Sequence, residues 1–322
     1  MNKFLPWLSL AVLALGLADT APAQQRLSIA TGGTGGVYYP LGGGLSELIG
    51  QHIEGHTAVA EVTGGSVENL ALIHRGESDI AFSLADTAVQ AYRGEGRFAR
   101  RQLENLRVIA ALYPNAVHLV ALADSPVHAL GDLRGRRVGV GAPGSGTEIN
   151  VATLLQANGM SLRDLRARRL NFNETADALR DGDIAAGFWS VAPPTSAIMS
   201  LAVSRDIRLV GLTEAEIDRA TAHGAAMFRH EIPGGTYDGI DQPVLTVGIP
   251  NLLVVHADMP DELAHAITRV LFENLAALRG IHAAMNTASI EYSLATSPLP
   301  FHPGAAGFYS DAGHDVPDHL MQ

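Results

Sequence analysis

The chain has 322 residues, 47% of them hydrophobic, 17% charged and 34 of them glycine, a length that suits two lobes of about 100–150 residues each. Its formal net charge of -11 weighs against nucleic acid and anionic membrane surfaces as partners, because both are bound chiefly through Lys and Arg. It contains no cysteine, which excludes disulfides, thiolate metal ligands, a Cys nucleophile and lipid attachment through an N-terminal Cys.

The N-terminus reads as an export signal. Lys3 supplies the charged region, Phe4 to Leu17 the apolar run, and Ala21-Pro22-Ala23 a small-x-small cleavage site, so residues 1–23 are expected to be removed. The apolar run is about 14 residues long, short of the roughly 20 that span a bilayer. The mature chain is therefore expected in the periplasm.

From Leu27 onward, short apolar strands alternate with Gly/Ser/Thr loops and amphipathic helices, which implies parallel sheets covered by helices. The first three units begin with strands at Leu27–Ala30, Ala58–Val62 and Asp79–Ser83. Val108–Tyr113 and Val117–Leu122 read as two further strands, and Ser125-Pro126 marks a fresh start. Beyond it come a strand at Arg137–Gly141, a helix at Glu148–Asn158, a strand at Ile184–Phe188, a helix at Thr195–Ala202 and a strand at Ile207–Leu212. The stretch Gln242–His256 reads as an extended return, followed by helices at Pro260–Gly280 and around His282–Glu291.

These elements predict an α/β, two-lobed fold resembling periplasmic binding proteins, each lobe a mostly parallel sheet flanked by helices. Residues 24–120 with 247–322 form the first lobe and 121–246 the second, joined by crossings near Ala121 and Thr246 that act as a hinge. A monomer is the default expectation.

Ligands of such folds sit at the carboxyl ends of strands, beside helix N-termini whose free N–H groups and partial positive charge hold anions without Arg or Lys. Four loops fall at such places: Gly32–Gly36, Gly64–Ser66, Ser83–Thr87 and Gly144–Thr147. Thr34, Ser66, Ser145 and Thr147 add hydroxyls; Tyr38 or Tyr39 offers one flat wall, and Phe188 with Trp189 the other. Taken singly, each loop is equally a tight turn with an ordinary helix cap.

Catalytic patterns fail. Gly139-x-Gly141-x-x-Gly144 matches a dinucleotide fingerprint in letters, yet its first glycine lies inside the strand. No Lys follows any Gly-rich loop, and Gly64-Gly65-Ser66-Val67 runs into Glu68, so neither a P-loop nor a nucleophile elbow forms. His52 and His56 have helical spacing, but Gly55 suggests that the helix is ending and no carboxylate-rich metal motif accompanies them, which favours surface over metal. Neither catalytic residues nor a cofactor are expected.

The stretches IATGGTGGVYYPLGGGLSELI (29–49) and TGGSVENLALI (63–73) resemble the TAXI family, the TRAP-associated extracytoplasmic immunogenic proteins. The likeness continues through ALYPNAVHLV (111–120), VGVGAPGSGTE (138–148), TVGIPNLLV (246–254), LFENL (271–275) and PLPFHPGA (298–305). The resemblance implies a non-enzymatic solute-binding protein that takes a small anionic solute, glutamate-like, glutamine-like or a dicarboxylate, and delivers it to the membrane permease subunits of a TRAP transporter. Carried over motif by motif, the implied contacts are Gly33, Thr34, Gly36 and Tyr39, then Ser66 and Asn69, then Ser145, Gly146 and Thr147, with Phe188 at an aromatic strand end. Where many members read Gln-Ser-Asp this chain has Leu84-Ala85-Asp86, which keeps Asp86 and loses two polar contacts. A binding protein for an ATP-driven importer and a periplasmic ligand sensor are the alternatives with the same architecture.

Overall fold

The computed structural model describes residues 24–321, so the expected export signal and its cleavage point near Ala23 lie outside the described residues. The first half is built by β1 (Gln25–Ala30), α1 (Tyr38–His52), β2 (His56–Glu61), α2 (Ser66–His74), β3 (Ile80–Leu84) and α3 (Ala85–Arg93). β1 pairs in parallel with β2 on one side and β3 on the other. Helical crossovers are what parallel neighbours require. α1 lies on this sheet because Leu41, Leu45, Leu48 and Ile49 recur at helical spacing and are all buried.

β4 (Leu106–Leu122) then runs 17 residues without a break, where the sequence reading places two strands. After it come β5 (Arg137–Gly139), α4 (Gly146–Ala157), β6 (Arg166–Arg168), α5 (Phe172–Arg180), β7 (Ala186–Val191), α6 (Ser196–Ser204), β8 (Ile207–Leu209), α7 (Glu214–His223) and β9 (Phe228–Ile232). β5 pairs in parallel with β6 and β7, which makes the second half. β10 (Val244–His256) returns antiparallel to β4, and α8 (Asp261–Glu273), α9 (Leu275–Ile281), α10 (Ile290–Thr296) and α11 (Pro303–Asp311) pack back on the first half. The expected long helix over 260–280 is interrupted at Asn274, and α11 opens with Pro303 at its first turn and His302 as cap.

The result is a two-lobed α/β fold in which one hydrogen-bonded sheet passes through both halves in the order β2-β1-β3-β10-β4-β7-β5-β6. The parallel sets lie at the two ends; β4 and β10 join them. On one side of the crossing β10 pairs with β3 through Asn251–Val255; on the other, β4 pairs with β7 through Ala116–Val120 and β10 with β9 through Val244–Gly248.

The exchange of partners therefore falls at Pro114–Ala116 and Gly248–Asn251, several residues from the expected crossings at Ala121 and Thr246. Pro114 and Pro250 face each other there, and the register shifts between Pro250 and Leu252. Proline has no N–H to give the ladder and a bulge bends it, so this is where the long strands are least tied. Among the described residues no helix is long and apolar enough to cross a membrane.

Candidate ligand-binding cleft

At the carboxyl ends of the strands, where the halves meet, lies a cavity of about 60 Å³. Its walls come from the loop after β1, the loop before α2, the loop before α4 and the start of α5, with Asn115 of β4 and Ser190 of β7 on the strand side.

One part of this wall is a set of donors. The first amides of α2 and α4, those of Ser66, Gly146 and Thr147, have no acceptor within their own helices. Three hydroxyls stand with them, each already accepting from the backbone: Ser66 Oγ from Leu84 N at 3.1 Å, Ser145 Oγ from Glu148 N at 3.3 Å and Thr147 Oγ1 from Ser190 N at 3.4 Å. An oxygen so engaged keeps its own O–H to give away. No residue lining the cavity carries a charged side chain.

Two glycines make the arrangement possible. Gly65, at φ 107° and ψ -154° before α2, holds a backbone shape that a side chain resists. At Gly146 a Cβ would sit 2.6 Å from Leu84 Cδ1 and 2.7 Å from Ser66 Oγ, both on the opposite half.

The strand side offers acceptors. Asn115 Nδ2 donates to Asn251 Oδ1 at 3.0 Å and to Ser190 O at 3.3 Å, and Asn251 Nδ2 donates to Tyr113 O at 3.1 Å. Tyr38 also donates its hydroxyl to Asn251 Oδ1 and stacks on Phe82 with ring centroids 5.1 Å apart. Burial holds that phenol far above its usual range, so it stays a neutral donor. Asn115 Oδ1 and Ser190 Oγ have no hydrogen-bond partner in the protein, although their residues are only 1% and 5% exposed.

Of the residues picked out from the sequence, Gly33, Gly36, Ser66, Ser145, Gly146 and Thr147 come together around this cavity. Others do not reach its wall. Thr34 is exposed and receives a hydrogen bond from Asn173 Nδ2 at 3.4 Å. Tyr39 is 38% exposed, and its neighbour Tyr38 lines the cavity instead. Phe188 is fully buried in β7 opposite Leu119 of β4; the aromatic wall is Phe172, at the start of α5. Asn69 is buried and ties β1 to β3 by donating to Thr31 O at 2.7 Å and Phe82 O at 2.8 Å. Of the expected loop Ser83–Thr87 only Leu84 lines the cavity.

Asp86, two residues further on in α3, does not line the cavity. Its carboxylate accepts from Thr87 N at 2.7 Å and from Asn150 Nδ2 of α4, so it links the halves. Burial pushes this carboxyl up to about 7, against hydrogen bonds from Thr87 and Asn150 that favour the ionised form. A carboxyl with a raised folded pKa holds its proton more tightly when folded. Its contribution is therefore full below about pH 4 and is lost as the pH climbs through about 7. Asp86→Asn keeps the shape without the titration, and its Nδ2 can meet the unpartnered Asn150 Oδ1. Thermal melts are expected to show wild type losing stability between about pH 5 and 8 by on the order of 1–3 kcal/mol more than the variant; parallel curves would contradict this.

The halves touch over the cavity. Val67 N and Glu68 N donate to Gly144 O at 3.1 and 3.2 Å, and Thr195 Oγ1 donates to Gly35 O at 2.8 Å. Glu148, its side chain 9% exposed, bridges Arg97 of the first half at 3.1 Å and Arg169 of the second at 2.6 Å.

Asn115, Ser190 and Phe172 had no role in the sequence reading. The signal for the first two was a lone polar residue inside an apolar strand, in LYPNAV and GFWSV; for Phe172 it was the capping box of Asn171 and Glu174, which starts α5 beside it.

A family model described as the NMT1-like family matches residues 29–313. Similar solved structures include a protein of Bordetella bronchiseptica RB50, 18% identical over 93% of this chain and 85% of that one, with a TM-score of 0.55. Two more distant ones are a TctC solute binding protein from Polaromonas (15% identical, 91% and 99% covered, TM-score 0.48) and the periplasmic aliphatic sulphonate binding protein of Escherichia coli (11%, 92% and 92%, 0.47). At such identities the likeness concerns the fold.

Proposed function

We propose that this chain, which belongs to the NMT1-like family, is a periplasmic solute-binding protein that captures a small carboxylate between its two lobes and delivers it to the permease subunits of a TRAP-type transporter. The observation that carries the reading is the donor set. Three hydroxyls, each already accepting one backbone N–H, and three helix-start amides converge from both lobes on one small cavity without a single charged side chain. Such a wall suits an anion held by neutral donors, where shape and hydroxyl placement discriminate along with charge.

Capture is binding without a covalent step. The bend falls at the facing Pro114 and Pro250, with the first lobe on the β3 side of it and the second on the side of β7 and β9. A carboxylate bridging Ser66 on one lobe and Ser145 and Thr147 on the other favours the closed arrangement by its differential contacts. Glutamate-like, glutamine-like and dicarboxylate solutes, and a TRAP-type permease as the receiving partner, follow from the resemblance to the TAXI family.

The test is a set of thermal shifts on protein stripped of solute by unfolding and refolding, against monocarboxylates, amino acids, dicarboxylates, sugars and phosphate. A carboxylate at about 1,000 times its dissociation constant is expected to add roughly 4 kcal/mol of stability. Shifts with neutral sugars only would overturn the reading.

A further inference from the structure

We infer that the preferred solute is a short 2-hydroxy monocarboxylate, of the size of glycolate or lactate, whose hydroxyl is read by Asn115 and Ser190. This rests on the carboxylate reading above and departs from the solute classes that the family resemblance implies. Two oxygens of residues on the strand side of the cavity have no hydrogen-bond partner in the protein: Asn115 Oδ1, which can only accept, and Ser190 Oγ, which can both give and accept. The orientation of the Asn115 amide is settled by its neighbours. Its Nδ2 lies between two acceptors, Asn251 Oδ1 and Ser190 O, and the opposite orientation would set oxygen against oxygen at both. Asn251 cannot turn to relieve that, because its own Nδ2 donates to Tyr113 O.

A buried acceptor without a donor is costly, so a ligand that supplies an O–H or N–H there is favoured over one that does not. The loops supply donors and the strands supply acceptors, so the ligand is an acceptor at one end and a donor at the other. An ammonium fits poorly: three N–H bonds would meet two neutral acceptors, with no carboxylate on the wall to share the charge. The nearby carboxylate of Asp86 is turned to Thr87 and Asn150. The second carboxylate of a diacid would face the Asn115 oxygen. A hydroxyl suits both without adding charge: its one O–H donates to Asn115 Oδ1, and its oxygen accepts the O–H of Ser190. The cavity, about 60 Å³, favours a compact molecule over a long one.

The test is calorimetric titration of the stripped wild-type protein with L- and D-lactate, glycolate, propionate, alanine, succinate and methanesulfonate, repeated on Ser190→Ala. Lactate or glycolate is expected to bind at least about tenfold tighter than propionate, since a site built around a hydroxyl rejects the analogue lacking it. Ser190→Ala is expected to reduce that ratio to within about threefold. Equal affinity for lactate and propionate, tighter binding of alanine, succinate or methanesulfonate, or a ratio untouched by Ser190→Ala would overturn this inference while leaving carboxylate or anion capture standing. No binding by any acid of the set would overturn both.

Discussion

Gly146→Ala is expected to weaken capture of the solute by about 10- to 100-fold, the range that corresponds to an overpacking cost of about 1–3 kcal/mol. The added methyl would stand 2.6 Å from Leu84 Cδ1, 2.7 Å from Ser66 Oγ and 3.0 Å from Thr87 Oγ1, all on the lobe opposite α4. The penalty therefore falls on the closed arrangement. With the lobes apart, alanine at a helix start is no worse than glycine. Calorimetric affinity with a carboxylate identified by the thermal-shift set, and a urea midpoint without it, separate the two effects: affinity falls and the midpoint moves little. Unchanged affinity would show that capture does not need this close approach.

Ser145→Ala combined with Thr147→Val removes two of the three hydroxyl donors at once. Hydrogen bonds to a charged group are worth about 1.5–3 kcal/mol each, so the pair is expected to cost on the order of 100- to 10,000-fold in affinity. Some stability goes as well, because Ser145 Oγ also caps α4 through Glu148 N, a contact worth about 1 kcal/mol. A melt without solute measures that share. If affinity held while the melt fell, these hydroxyls would be caps and nothing more.

Much of this site was legible as chemistry before it was visible as geometry. A strand, a Gly/Ser/Thr loop and a helix start make the same statement wherever they recur, and three of the four loops so read do meet at the cavity. Tyr38 was legible too: it lies on the stripe that continues through Leu41, Leu45 and Leu48, whereas Tyr39 is turned about 100° away. In β7 every residue is buried, so alternation could not rank Phe188 against Ser190; only the strand's end, where the cavity begins, decides. Asn115 was harder still. Its role depends on Asn251, far along the chain on β10, and no local pattern encodes which strand lies beside it. The bend was hidden for a similar reason. Pro114 and Pro250 are unremarkable singly and become a weak point in the ladder only when antiparallel pairing sets them face to face.

The most direct test of capture between the lobes is a titration of ¹⁵N-labelled, deuterated protein with L-lactate, followed through the amide resonances of Ser66, Gly146 and Thr147. A carboxylate accepting from the starts of α2 and α4 is expected to shift these amides together and saturably, with Ser190 moving on the same curve, while the separate open groove lined by Arg97, Glu148 and Arg169 moves only through closure. Saturable shifts confined to that groove, with the three amides unmoved, would contradict the account.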